Sequence, residues 1–165
     1  FWILGVSGTV TLLSSALLAL KQNDLKRLLA YSTVAALGTL TMLLAVGGET
    51  AVKAAMIFLL AHSLYKAALF MSAGTIDYAA GSRDIRQLSG LAKFMPITFV
   101  SSLLAALSLA GLPPLFGFIG KELAYEGFLS TQWMLVVAVV ANGAMFVVAF
   151  LVGLKPFLGK RIGTT

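Results

Sequence analysis

The feature that most constrains this chain is a series of apolar stretches, each about as long as a bilayer is thick. The first of them, residues 2–20, contains no charged residue. A helix needs about 20 apolar residues to cross about 30 Å of hydrocarbon. Because several stretches reach that length, the sequence predicts an all-α integral membrane protein that crosses the bilayer repeatedly.

Composition excludes several other classes of protein. The 165 residues are 59% hydrophobic and 11% charged, with a mean hydropathy of +0.98. Soluble domains are about 45–50% apolar and about 25% charged. A soluble enzyme and a disordered chain are therefore excluded. The lack of cysteine excludes a disulfide scaffold, cysteine-ligated metal and thiol catalysis.

We expect residues 1–165 to form one transmembrane fragment of a longer chain. The sequence begins with Phe1, which already lies in apolar sequence, and it lacks the basic segment and short apolar core of a signal peptide. Asp24 is the predicted N-cap of the second span, and Gly47 and Gly48 end that span. The predicted spans are residues 2–20, 25–46, 51–78, 96–129 and 131–154.

The fourth span is too long for one crossing and too short for two. Pro113 and Pro114 lie in its middle and interrupt a helix, because proline has no N–H and clashes with the preceding turn. We expect two shorter helices, residues 96–110 and 117–129, with a break near 111–117 that begins the second helix at Gly117. Irregular backbone at membrane depth must be buried in protein or line an aqueous cavity.

The distribution of basic residues predicts the orientation. With five spans, residues 21–27, residues 79–94 and the C-terminal tail lie on one side of the membrane, and the positive-inside rule makes that side cytoplasmic. The net charge of +6 is therefore attributed to orientation rather than to nucleic acid. This side holds nine of the twelve cations: Lys21, Lys26, Arg27, Arg83, Arg86, Lys93, Lys155, Lys160 and Arg161.

Two ionisable residues lie deep in the third span. His62 and Lys66 share one helical face through their i, i+4 spacing. A lysine at the bilayer centre costs about 3 kcal/mol on insertion scales, so a compensating role is expected. Lys66 either exchanges protons or pairs with a carboxylate from elsewhere in a larger complex. His62 is either a buried structural histidine or a proton relay. Lys53, near the end of this span, is expected to extend to the interface.

Lys121 follows the break in the fourth span. Half-helices near the membrane midplane bind ions in many transporters, although the lysine could also mark the outer surface. Glu122 and Glu126 are expected closer to that surface. Ser32 and Ser63 could support a hydrated path, but membrane hydroxyls often bond to their own helix. No phosphate loop, zinc-ligand spacing or Ser-His-Asp set occurs in the sequence, so we expect neither a cofactor nor a metal, and no enzymatic chemistry.

Three segments resemble antiporter-like membrane proteins, the large subunits of respiratory complex I and of Mrp-type cation/proton antiporters. Residues 21–33, KQNDLKRLLAYST, are similar to the segment that opens one family helix. Residues 62–70, HSLYKAALF, resemble the family's His-x-x-Tyr-Lys helix, which includes Tyr65. Residues 112–122, LPPLFGFIGKE, resemble its broken helix with a central lysine.

The resemblance implies a fold and a set of roles. The family fold contains two inverted repeats of five helices, each with one discontinuous helix, and this chain resembles the second repeat. Lys121 would be the terminal lysine of the proton axis, with His62 and Lys66 as relays. The implied partners are other membrane subunits, H⁺ and Na⁺ as the exchanged cation, in a prokaryotic cell membrane.

Within the family, residues 81–91 (GSRDIRQLSGL) and 121–126 (KELAYE) look most like the largest subunit of Mrp antiporters. Phe58 stands where some complex I proteins carry a further histidine, which argues mildly against complex I. The proton-pumping antiporter-like subunit of complex I, or of a related hydrogenase, is the alternative.

Overall fold

The computed structural model describes residues 1–159 and is all-helical within them. The elements are α1 (Trp2–Leu20), α2 (Leu25–Val46), α3 (Gly48–Ala80), a short 3₁₀ turn (Leu91–Lys93), α4 (Pro96–Ala110), α5 (Phe116–Gly127) and α6 (Gln132–Gly153). Four of them, α1, α2, α3 and α6, are long and apolar enough to cross a membrane, and α4 is a shorter apolar helix. The predicted all-α membrane fold is confirmed. Lys160 and Arg161 lie outside the described residues.

The fourth predicted span is discontinuous, as expected. Helix α4 ends at Gly111, whose φ of 80° turns the backbone into the left-handed region, and α5 begins five residues later at Phe116. Gly117 lies against the end of α4, where a Cβ would come within 1.9 Å of the Ser108 carbonyl oxygen. The N–H of Gly117 donates to Ser108 Oγ at 3.1 Å. The two half-helices therefore overlap at this contact.

Helix α3 extends beyond the span predicted from hydropathy. It begins at Gly48, directly after the single turn residue Gly47, and continues to Ala80. Its 33 residues measure about 50 Å, more than the thickness of the hydrocarbon layer. Glu49 lies in the first turn, where a carboxylate is favourable for the helix dipole. Hydropathy alone does not detect these polar ends.

The connections that carry most of the basic residues meet at one end of the bundle. Asp24 caps α2 by accepting bonds from the N–H groups of Lys26 and Arg27. Beside this cap, the N–H of Leu25 donates to Arg83 O at 2.9 Å. At the same end, the N–H of Gly90 donates to Leu158 O at 3.1 Å, which brings the C-terminal segment to the same place. The side of the membrane that this end faces stays a prediction.

Ion pairs stabilise this end. Lys26 Nζ lies 2.7 Å from Asp77 at the end of α3, so the pair joins α2 to α3. Arg86 forms hydrogen bonds to the Asp84 side chain. These bonds, followed by the bond from the Arg86 backbone N–H, lower the pKa of Asp84 to about 2. The loop carboxylate therefore remains ionised far below the usual titration range of aspartate.

The outer surface of the bundle is apolar and its interior is partly polar. Ile3 on α1 and Val140 on α6 are 86% and 63% exposed. The buried polar side chains include serines, one histidine and two lysines. This distribution is the reverse of that in a soluble protein, and it directs attention to the interior.

Candidate functional site

The three ionisable residues predicted at membrane depth are all buried. His62, Lys66 and Lys121 are 6%, 5% and 9% exposed. His62 and Lys66 belong to α3, and Lys121 to α5 just after the break. Lys53 instead is exposed and forms a 2.5 Å ion pair with Glu49 at the end of α3. The chain therefore contains two lysines that lie inside the protein rather than in solvent.

Lys66 links α3 to α2 through neutral oxygens. Its Nζ donates to the Leu29 carbonyl oxygen at 3.0 Å and also to Ser32 Oγ. The Ser32 hydroxyl in turn donates to the same carbonyl at 2.8 Å. Within residues 1–159, no carboxylate lies at ion-pair distance from Lys66. The ammonium is therefore solvated by the protein without a counter-charge in the described chain.

His62 lies one turn before Lys66, between two aromatic rings. A 3.1 Å hydrogen bond joins its Nδ1 to the hydroxyl of Tyr65. The Phe58 ring stacks on the imidazole with centroids 6.3 Å apart. The Nε2 atom of His62 is buried and has no hydrogen-bond partner in the part of the chain that the structure describes. One nitrogen is thus anchored, and the other is free to bond to water or to a neighbouring protein.

Lys121 occupies the position that the broken helix creates. In a continuous α4, the Leu109 carbonyl would accept a bond from the residue at position 113. That residue is Pro113, which has no N–H, so the carbonyl needs another donor. Lys121 Nζ donates to Leu109 O at 2.5 Å and also to Asn142 Oδ1 on α6. The proline therefore frees the oxygen that the lysine binds.

A small cavity lies between the two lysine sites. Its volume is about 40 Å³, enough for at least one water molecule. Ser32 and Tyr65, which contact Lys66 and His62, line it together with Lys121. Its other polar lining residues are Thr39, Tyr125 and Asn142. The structure therefore brings the predicted residues Lys121, Ser32 and Tyr65 to one internal space, and it places Lys66 and His62 directly behind two of them.

Other predicted residues lie outside this space. The Ser63 hydroxyl is exposed and donates to the Leu59 carbonyl of its own helix at 2.8 Å. Glu122 is exposed beside Lys121 in sequence. Pro113 and Pro114 form the exposed connection between the half-helices, joined by a cis peptide bond. Among residues 1–159, no group of three or more histidine, aspartate or glutamate side chains is placed to hold a metal ion.

Two members of the site, Asn142 and Tyr125, are missing from the predicted set. Asn142 had a detectable signal, because it is the single polar residue between Trp133 and Gly153. An amide in so apolar a segment requires hydrogen-bond partners. Tyr125 lies one turn after Lys121 on the same face of α5. Spacing from Lys121 indicates its proximity.

Fold and site together define a class. The chain is a helical membrane protein whose interior holds ionisable side chains beside a broken helix, an arrangement typical of ion pathways. Residues 2–146 match the family described as NADH:quinone oxidoreductase/Mrp antiporter, transmembrane. The chain belongs to this family, which confirms the resemblance drawn from the three sequence motifs.

Individual relatives agree with this assignment. The A/B subunit of a probable K⁺/H⁺ antiporter from Rhizobium meliloti (strain 1021) is 47% identical over 80% of this chain and 13% of the relative. The largest similarity in coverage among the named relatives is to the Na⁺/H⁺ antiporter of Alkalihalophilus pseudofirmus, whose A-type subunit is 39% identical over 97% of this chain and 23% of the relative. A chain in the structure of the Mrp complex from Dietzia sp. DQ12-45-1b matches with a TM-score of 0.82 and 34% identity, over 93% of this chain and 18% of that chain. This chain spans less than a quarter of the length of these proteins.

Proposed function

We propose that this chain is the second five-helix repeat of the largest subunit of a multisubunit cation/proton antiporter. The observation that carries the proposal is the pair of buried lysines, each held by neutral oxygens, on either side of a water-sized cavity. The antiporter names of the relatives support the same function. Na⁺ is the proposed exchanged cation, K⁺ being the other cation named among the relatives. The proposed protein is a transporter component that works with other membrane subunits.

The proposed proton route runs from Lys66 to Lys121. Ser32 connects Lys66 Nζ to the cavity, since its hydroxyl contacts the amine and lines the space. A hydroxyl group both accepts from an ammonium and donates to a neutral amine, so it serves either protonation state. Water in the cavity then exchanges a proton with Lys121. His62, through Tyr65, supplies a second connection to the same cavity.

Neutral partners suit repeated protonation. An ion pair with a buried carboxylate would leave an uncompensated charge whenever the lysine released its proton. The carbonyl oxygens of Leu109 and Leu29 carry no net charge, so deprotonation leaves no isolated anion behind. Both lysines can therefore alternate between the charged and neutral forms. The exchanged cation compensates the charge elsewhere in the assembled complex.

Replacing Lys121 in the complete complex tests the function. We expect Lys121→Ala to abolish Na⁺-dependent antiport in everted vesicles, because it removes the group that exchanges the proton with the cavity. Assembly, measured by native electrophoresis, should be retained. Lys53→Ala is the matched control, since this lysine is exposed and paired only with Glu49. Antiport at the wild-type rate in the assembled Lys121→Ala complex would exclude the proposed route.

A proton-pumping component of a redox complex is the second candidate, because the family description includes NADH:quinone oxidoreductase. The same lysines would serve that function, and neighbouring subunits would make the difference. Loss of NADH-driven proton pumping in the Lys121→Ala complex, with no Na⁺-dependent antiport in the unmodified complex, would favour it.

A further inference from the structure

The Asn142 side chain is a buried connection that the proposed route does not yet explain. Residues 133–153 are otherwise apolar or glycine, so the amide stands alone in the middle of α6. An unbonded amide in such surroundings costs several kcal/mol, whereas Asn142 Oδ1 accepts a hydrogen bond from Lys121 Nζ. This contact, together with the bond to Leu109 O, makes Lys121 the meeting point of α4, α5 and α6.

The two oxygens that hold Lys121 differ in chemistry. The Leu109 carbonyl only accepts hydrogen bonds, so it binds the ammonium but offers nothing to the lone pair of a neutral amine. The Asn142 amide has both an acceptor oxygen and donor N–H groups. It can accept from the charged lysine and, after rotation, donate to the neutral one. Among the two contacts, Asn142 is therefore the one that can persist through a cycle of protonation.

Asn142 is also part of the cavity wall. Lys121 and Tyr125 line the space beside it, and the Tyr125 hydroxyl interacts with the Asn142 side chain. Across the cavity lie Ser32 from α2 and Tyr65 from α3. Tyr65, Tyr125 and Lys121 are the titratable groups that line the space, while α4 contributes the Leu109 carbonyl to the lysine. The amide thus faces both the lysine and the room for water.

We propose that Asn142 is a positioning residue of the proton route, which keeps Lys121 Nζ at the cavity wall in both protonation states so that the lysine exchanges its proton with cavity water. This role rests on the proposed function and adds a residue on a third helix to it. Without the amide, Lys121 in its neutral form has no partner at the wall. It then leaves the position from which water can return the proton.

Three substitutions in the complete antiporter complex separate this role from packing. Asn142→Ser and Asn142→Ala leave similar space, but only serine keeps a group that accepts and donates. Asn142→Leu restores the volume without any polar atom. We expect the maximal antiport rate at saturating Na⁺ to fall about tenfold or more in Asn142→Ala and Asn142→Leu, as for the loss of a hydrogen bond to a charged group. Asn142→Ser should stay within about threefold of wild type, and the KM for Na⁺ should change little in all three.

The order of the rates decides the proposal. Equal rates for serine and alanine, or a leucine variant faster than serine, would show that packing explains the residue and would overturn it. If the leucine variant does not assemble, the comparison of serine with alanine decides alone. Val139→Leu, on the exposed face of α6, is the control for the helix.

Failure of this inference is distinguishable from failure of the proposed function. An inactive Lys121→Ala complex together with equally active Asn142 variants would retain the route and remove only the role of Asn142. An active Lys121→Ala complex would remove both.

Discussion

Each buried lysine is held by the same chemical combination. Lys66 donates to a backbone carbonyl and to the hydroxyl of Ser32, and Lys121 donates to a backbone carbonyl and to the amide of Asn142. In both pairs the side-chain partner can donate as well as accept, whereas the carbonyl can only accept. The charged form of each lysine is thus solvated without an ion pair in the described chain. This pattern favours proton exchange over a structural ion pair.

The hydroxyl of Ser32 should matter more to transport than to stability. In Ser32→Ala, Lys66 keeps the Leu29 carbonyl but loses its contact with the cavity wall. We expect the antiport rate in everted vesicles to fall about tenfold, since hydrogen bonds to charged groups contribute about 1.5–3 kcal/mol. Thr41→Val is the control, because that hydroxyl donates to the Leu37 carbonyl of its own helix, away from the lysine sites. Equal rates in the two variants would contradict the role of Ser32.

The sequence predicts the ionisable residues better than their partners. His62 and Lys66 were identifiable because a charge at membrane depth requires compensation. Asn142 carries no charge, so a search for ionisable residues passes over it. The Leu109 carbonyl is backbone, and its availability depends on both Pro113 and the return of α5 towards α4. Contacts of this kind require the tertiary structure.

At the scale of the element, the broken helix both interrupts the span and builds the site. Pro113 removes the donor for the Leu109 carbonyl, and the turn at Gly111 brings α5 back across the end of α4. The Lys121 side chain then passes beside Gly111, where a Cβ would lie 2.7 Å from Lys121 Cδ. The break and the position of the lysine are therefore parts of a single arrangement.

Helix ends follow local signals that the sequence reveals only in part. The N-cap at Asp24 is found as predicted, because a short carboxylate can satisfy the first free N–H groups of a helix. The end of α5 at Gly127, rather than at residue 129, follows from the turn of Phe128 and Leu129 into α6. Apolar composition continues through this turn, so hydropathy does not mark it.

The contact between the half-helices should not tolerate a side chain at Gly117. An added Cβ would lie 1.9 Å from the Ser108 carbonyl oxygen, which is backbone and cannot rotate away. We expect Gly117→Ala to lower the stability of the complex by about 1–3 kcal/mol, as for overpacking, and to reduce transport by displacing Lys121. Thermal unfolding followed by native electrophoresis measures the stability.

The matched control for Gly117 is Gly74→Ala on α3, where nothing lies within 4 Å of the new Cβ. This substitution should leave stability unchanged or slightly raised, because alanine favours a helix over glycine by about 1 kcal/mol. Equal stability of the two variants would show that the half-helices are not closely packed at Gly117.

For the molecule as a whole, charge and polarity separate into three zones. Apolar side chains cover the outside, the lysine sites and the cavity occupy the interior, and ion pairs gather at one end. Lys26 and Arg83 both pair with Asp77, so these basic residues stabilise the junction of α2, α3 and the following loop. Charges that the sequence assigns to orientation therefore also have a structural role.

The orientation of that charged end can be measured because this chain has no cysteine of its own. Gln87 is exposed in the loop at the basic end, and Thr50 is exposed at the start of α3, at the opposite end of the bundle. In the complete protein on a cysteine-free background, we expect an impermeant maleimide to label Gln87→Cys in everted vesicles and Thr50→Cys in intact spheroplasts. This pattern follows from the positive-inside rule, which retains basic connections in the cytoplasm.

Antiport by both cysteine variants serves as the control for correct assembly, since neither residue contacts the lysine sites. The reverse pattern of labelling would place the basic end outside the cell and would invert the direction of the proposed route. Labelling of both positions from the same side would contradict the crossing of α3 itself, because Gly47 and Gly81 lie at the two ends of this one continuous helix. A helix of about 50 Å cannot bring both ends to one surface of a bilayer about 30 Å thick without lying in its plane. The two cysteines therefore report the crossing of α3 and the side of the basic end together.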